Sequence, residues 1–129
     1  MCIRDSAKDE KKAFEWFTKA AEQGDAYGLS GIAWIYATSN DPKMRNGKEA
    51  LKLAQKAAAK CYKPDPYINA ALAAAYAEQG DFASAVSTQE KAILLLKDTT
   101  RNNDFQVRLK SYQDKKPWRD SLSPEKKQN

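Results

Sequence analysis

Glu15, Glu22, Glu49, Glu78 and Glu90 are the carboxylates that could carry acid–base work in this sequence. Such work needs two titratable groups converging on one site, with environments that push their pKa values apart. These five are scattered along stretches that read as solvent faces, and no pair has a spacing that demands a dyad. Histidine is absent. That removes Ser-His-Asp triads, Cys-His dyads and histidine metal sites together. Cys2 and Cys61 have no CxxC spacing and stand too far apart to argue a disulfide. Cys61 reads as a small buried or half-buried hydrophobe. Gly28-Leu29-Ser30-Gly31 lies inside a helical stretch and cannot act as a phosphate-cradling loop. Catalysis by this chain is not expected, and neither is a metal or other cofactor.

The elements that carry these residues read as helices. The chain has 129 residues, one domain's worth, with 42% hydrophobic and 30% charged residues. Alanine, the best helix former, recurs through its middle. Few stretches alternate at the period-two spacing of strands, so an all-α fold is expected. No apolar run approaches the ~20 residues of a membrane span. The net charge is +5, and from Lys115 to Asn129 five basic residues (Lys115, Lys116, Arg119, Lys126, Lys127) face two acids (Asp120, Glu125). This run lacks interleaved aromatics, glycine-rich loops and a recognition-helix pattern. It reads as a solvated end, not a nucleic-acid surface.

Six helices are expected, at about 7–23, 26–38, 48–60, 67–79, 82–97 and 103–113. In the first, Ala13, Phe14, Phe17, Ala20 and Ala21 share a face, and Lys8, Lys11, Lys12 and Lys19 lie mostly opposite. Gly24-Asp25 and Gly80-Asp81 close helices, with glycine as the C-cap. Ser39-Asn40-Asp41-Pro42 and Lys63-Pro64-Asp65-Pro66 break the chain. The sixth helix carries Phe105, Leu109 and Tyr112 on one face. Residues 7–114 make the helical domain, and 115–129 a polar, basic, loose tail. Trp16 and Tyr62 are expected to pack, and Trp118 to cap the last helices. Met1-Cys2-Ile3-Arg4-Asp5-Ser6 resembles the translation of a transposon-end sequencing adapter. On that reading residues 1–6 are an artefact, the natural chain begins upstream, and this is a C-terminal piece of it. The compartment, cytoplasm or periplasm, stays open.

The helices repeat. Ile32, Ala33 and Tyr36 match Leu72, Ala73 and Tyr76. Ala13, Phe17 and Ala20 match Ala50, Ala54 and Ala57, which match Ala85, Gln89 and Ala92. The offsets are 37 residues (Ala13 to Ala50) and 35 residues (Ala50 to Ala85), close to the ~34-residue period of tetratricopeptide repeats. Helices approach to ~8–10 Å only where small side chains sit at the crossing. Ala33 and Ala73 would be those residues on the first helix of each hairpin. Ala50, Ala57, Ala85 and Ala92 would be their partners on the second, with Tyr36 and Tyr76 filling the space beside them. Ala73→Leu or Ala85→Leu should therefore overpack a crossing.

The stretch LAAAYAEQGDFASAVSTQEKAI, Leu72 to Ile93, strongly resembles a tetratricopeptide repeat. AFEWFTKAAEQGDAYGLSGIAWIYA, Ala13 to Ala37, resembles the Sel-one-like subtype, with its KAAEQGD junction at Lys19 to Asp25. The loop NDPKMRNG and the closing segments Arg108–Tyr112 and Lys116–Arg119 resemble a bacterial subgroup of that family. The resemblance covers roughly Lys11 to Arg119. The sequence departs from the pattern at Gln89 and Ala54, where an aromatic is usual, and in lacking a proline after Leu96. The resemblance implies an α-solenoid of antiparallel helix hairpins with a C-terminal capping helix.

It also implies a function. The family binds peptides or partner proteins on a concave face made by the first helix of each hairpin. That face would present Tyr27, Ser30, Trp34, Ala37 and Thr38, then Tyr67, Ala70, Ala74, Ala77 and Glu78. An exposed tyrosine or tryptophan is a rigid apolar anchor with a polar edge, the type enriched at binding hot spots. Family members that clasp a C-terminal carboxylate line the face with Lys, Arg and Asn. Here the positions are mostly Ala, Ser, Thr and aromatic, so a hydrophobic or mixed peptide is expected. The alternatives are a spacer or cap of a longer repeat protein, or an accessory domain of an enzyme lying upstream. Two and a half hairpins make a shallow groove, and ~3 repeats are usually wanted for stability.

Overall fold

The structure is a computed structural model that describes residues 7–61, 63–97 and 101–119. Residues 1–6, Tyr62, residues 98–100 and the tail from residue 120 onward lie outside the described residues. The described residues form six helices and no strand: α1 (Ala7–Glu22), α2 (Ala26–Thr38), α3 (Gly47–Lys60), α4 (Pro66–Glu78), α5 (Phe82–Leu95) and α6 (Asn102–Gln113). Consecutive helices pack on one another, and α2 also packs on α4. The result is an all-helical stack, compatible with helical hairpins laid side by side. No helix among the described residues is long and apolar enough to cross a membrane.

Local chemistry sets the helix ends. Glu22-Gln23-Gly24-Asp25 and Glu78-Gln79-Gly80-Asp81 are the same four-residue junction. Gly24 and Gly80 take φ of +81° and +88°, a region a side chain disfavours. That turn lets the Asp25 amide donate back to the Ala20 carbonyl at 3.1 Å, and the Asp81 amide to Tyr76 at 2.9 Å. Each aspartate then caps the next helix: Asp25 accepts from the Tyr27 amide and Asp81 from the Ser84 amide. Asn46 and Asp65 do the same for α3 and α4, with Pro66 in the first turn of α4.

The crossings are built from alanine. Ala33, Ala50, Ala54, Ala57, Ala73, Ala85 and Ala92 are fully buried. Tyr76, Phe82 and Val86 pack beside Ala73, Ala77, Ala85 and Tyr112, and Tyr36 meets Phe14 with ring centroids 5.6 Å apart. Ile32 is buried, while Ala13, Phe17, Ala20 and Leu72 are half-buried. Gln89 is the polar exception at these positions: it is fully buried, and its Nε2 donates to the Phe105 carbonyl at 3.0 Å. The unusual residue thus ties α5 to α6. Because Ala73 and Ala85 share one closed cluster, Ala73→Leu or Ala85→Leu is expected to cost ~1–3 kcal/mol, read as a lowered thermal midpoint. An unchanged midpoint would mean the crossing is looser than its burial indicates.

Two expectations are corrected. Trp16 does not pack: it is 73% exposed. Helix α1 meets its neighbours through Phe14, Phe17 and Ala21, and Trp16 projects away from that stripe. The segment after Lys115 is not loose throughout. Pro117, Trp118 and Arg119 are half-buried, and Trp118 packs on the Ala73–Ala77–Ala85–Tyr112 cluster. Cys61 is a half-buried free thiol beside Leu29, Ala57 and Ile68.

Candidate binding groove

The N-terminal halves of α2 and α4 stand side by side and open onto a cavity of about 570 Å³. Phe17, Ser30, Gly31, Ala70 and Ala71 line it together with the aromatic side chains of Tyr27, Trp34 and Tyr67. Five of the ten concave-face residues named from the sequence meet here: Tyr27, Ser30, Trp34, Tyr67 and Ala70. Tyr27 and Tyr67 are exposed, at 53% and 41%, and Trp34 is half-buried. Small residues on two helices thus make room that three large aromatics surround.

The other five do not open onto this cavity, and of these Ala37 and Ala77 are fully buried. Thr38 is fully buried, and its hydroxyl donates to the Trp34 carbonyl at 2.7 Å. Ala74 is buried with Ala37, Ala50 and Ala75 where α2 and α3 meet α4. Glu78 is partly covered and paired with Arg119 at 2.8 Å and Arg45 at 3.9 Å. The physical reason is that small side chains let α2 close directly on α4 toward their C-terminal ends.

Sequence reasoning missed a third wall. Arg101, immediately before α6, and Asp104 and Arg108, on α6, reach the cavity. Arg108 sits over the Trp34 ring at 4.7 Å and over Phe105 at 5.3 Å. Arg101 lies 5.9 Å above the Tyr67 ring and pairs with Asp104 at 3.6 Å. Each guanidinium stacks on an aromatic face, a contact favoured by the ring quadrupole. Two arginines and one aspartate give this wall a net positive charge. The face expected to be mostly Ala, Ser, Thr and aromatic thus gains two arginines from a part of the chain outside that expectation. The expectation arose from counting only the first helix of each hairpin. Phe105 places α6: fully buried, it meets Tyr67 edge-on at 5.7 Å and packs with Ala70 and Ala92.

Tyr27 also has a structural task. Its hydroxyl donates to Asp65 Oδ2 at 2.5 Å. Asp65 Oδ1 meanwhile accepts the Tyr67 and Ile68 amides at 2.8 and 3.1 Å. One carboxylate thus caps α4 and ties it to α2. The hydrogen bond to Asp65, with lesser contributions from burial and nearby negative charge, pushes the Tyr27 pKa up to about 12. A group whose pKa rises on folding stabilises the fold below its unfolded pKa, here 10.0, and loses that contribution as pH climbs through the folded value. Wild type is therefore expected to melt a few degrees above Tyr27→Phe at neutral pH. The two midpoints should converge between pH 10 and 12. Parallel melting curves over that range would show that the bond contributes nothing.

Compared with known proteins, the chain matches no family model, no curated protein and no solved structure.

Proposed function

We propose that this chain is a protein-interaction module of the tetratricopeptide, Sel-one-like kind, which holds a peptide of a partner protein against the cavity between α2, α4 and α6. The observation that carries the reading is convergence. Tyr27, Trp34 and Tyr67 come from two helices and surround one open cavity whose floor is glycine, serine and alanine. Aromatic anchors around a preformed recess are what hot spots use. The repeat offsets and the duplicated Glu-Gln-Gly-Asp junction support the family assignment. Arg101 and Arg108 add a positive wall, so a peptide with apolar and acidic residues fits better than a purely apolar one.

The test is selection from a peptide display library against the purified chain, followed by affinity measurement on the selected peptide. Trp34→Ala is expected to cost about 2 kcal/mol or more, roughly thirtyfold in Kd. Tyr67→Ala should weaken binding in the same direction. A selected peptide that binds Tyr27→Ala, Trp34→Ala and Tyr67→Ala as tightly as wild type would sink this site. A second reading, a terminal cap of a longer helical stack, draws on Trp16: a tryptophan standing 73% exposed on α1 is a ready contact for a preceding helix.

A further inference from the structure

Toward the C-terminal ends of α2 and α4 the concave side is filled, and what fills it is the chain's own segment Pro117–Arg119. Its path is fixed. After α6, Lys115 takes φ of +61°, a conformation a residue with a Cβ adopts only when its surroundings impose it. The turn lets the Lys116 amide donate to the Ser111 carbonyl at 2.9 Å, while the Ser111 hydroxyl donates to the Lys116 carbonyl at 3.1 Å. The chain then crosses the ends of both helices.

Two side chains make the contact. Trp118 seats on the cluster of Ala73, Ala77, Ala85 and Tyr112. The Arg119 guanidinium pairs with Glu78 Oε1 at 2.8 Å and donates to the Ala37 carbonyl at 3.4 Å. Arg108 lies between the rings of Trp34 and Trp118, at 4.7 and 5.9 Å, and so joins this seat to the open cavity. An apolar seat, a carboxylate and a backbone acceptor are the features that read a peptide side chain by side chain. They select for a cation, which the chain supplies as arginine: a single guanidinium nitrogen, Nη1, meets both the Glu78 carboxylate and the Ala37 carbonyl. An acid here would face Glu78.

We propose that this half of the concave side is a recognition site for an aromatic residue followed by arginine, that the chain keeps it closed with its own Trp118–Arg119, and that an outside peptide carrying the same pair binds by displacing this strap. The proposal rests on the reading of the concave side as the peptide-binding face and names the chemistry of the partner. The strap is tethered, so it competes at a millimolar-range effective concentration.

The test uses the full chain carrying Trp118→Ala and Arg119→Glu. The probe is a dye-labelled, C-terminally amidated peptide of residues 113–119, with binding followed by fluorescence anisotropy. The double variant should bind it about tenfold or more tightly than wild type, whose strap competes. The same peptide with Arg119→Glu should lose most of that affinity. Equal affinity for both chains overturns the proposal, and so does no binding to a double variant of wild-type helicity. Should the double variant not fold, Glu78→Gln in the otherwise native chain serves instead. Tryptic cleavage after Arg119 should then accelerate several-fold over wild type, and an unchanged rate overturns the strap. Display peptides that need Trp34, together with a folded double variant that does not bind the probe, would leave peptide binding standing and remove this site.

Discussion

Replacing Phe105 by alanine should lower the unfolding free energy by about 3–5 kcal/mol. The side chain is fully buried between α4 and α5, packed with Ala70 and Ala92 and flanked by Ile93 and Leu96. Those neighbours are alanines and helix residues that cannot move in to fill the space, so the cavity term is expected in full. The edge-on contact with Tyr67 at 5.7 Å adds the small preference that aromatic pairs have beyond buried area. Against a total stability of ~5–15 kcal/mol for an ordinary domain, this is a large fraction. Phe105→Leu keeps most of the volume and should cost less than about 1.5 kcal/mol. Denaturant unfolding of the two variants checks the pair, and equal midpoints for alanine and wild type would refute the packing. The loss also has a functional reading. Arg101 at the N-cap of α6 and Arg108 hang from this helix, as does the turn that launches the strap. When Phe105 is truncated, amide protection in α6 should fall first, and the cavity should lose its positive wall before α2 and α4 separate.

What the sequence reveals here is what short-range chemistry decides. The Glu-Gln-Gly-Asp junctions are readable because one glycine needs positive φ and one aspartate needs an open amide, both within four residues. The crossing alanines are readable because only a small residue permits close approach, and the repeat offset points to the same registers twice. Trp16 was misplaced although a signal existed. Two residues from Phe14 is roughly 200° around the helix, so a tryptophan there falls off the stripe that Phe14 and Phe17 define. Thr38 and Ala74 were placed on the open face because counting along one helix cannot say where its neighbour closes. Arg101 and Arg108 were missed for a related reason. The sixth helix reads as a cap, and only the packing of Phe105 and Tyr112 brings Arg108 over Trp34 and Arg101 over Tyr67. The strap is half legible: Trp118 reads as a cap on the last helices and packs there, whereas Arg119 in a charged, lysine-rich end looks solvated until Glu78 and the Ala37 carbonyl are seen beside it.

Gly28→Leu is expected to cost about 3 kcal/mol or more. The reasoning starts from a contrary force. Glycine inside a helix is about 1 kcal/mol less favourable than alanine, so at a free surface any side chain at position 28 would help α2. The surface is not free. A Cβ at Gly28 would lie 2.6 Å from the Ala21 backbone nitrogen and 2.6 Å from the Ala20 Cβ. A backbone atom cannot rotate aside, so α1 as a whole would have to move. Gly28→Ala should then already destabilise despite its better propensity, and leucine should do so more. Gly31 is the internal comparison. Its Cβ would strike the Phe17 ring at 2.4 Å, but a half-buried ring can swing, so Gly31→Ala should cost less than Gly28→Ala. Thermal melting gives the order, and a Gly28→Ala chain more stable than wild type would mean that α1 does not seat on α2 as described. The consequence reaches the groove, because Phe17 forms part of the cavity wall beside Ser30 and Gly31. Pushing α1 outward carries Phe17 with it. A stability defect at Gly28, a residue that does not line the cavity, should therefore appear as weaker peptide binding even at temperatures where the rest of the chain stays folded.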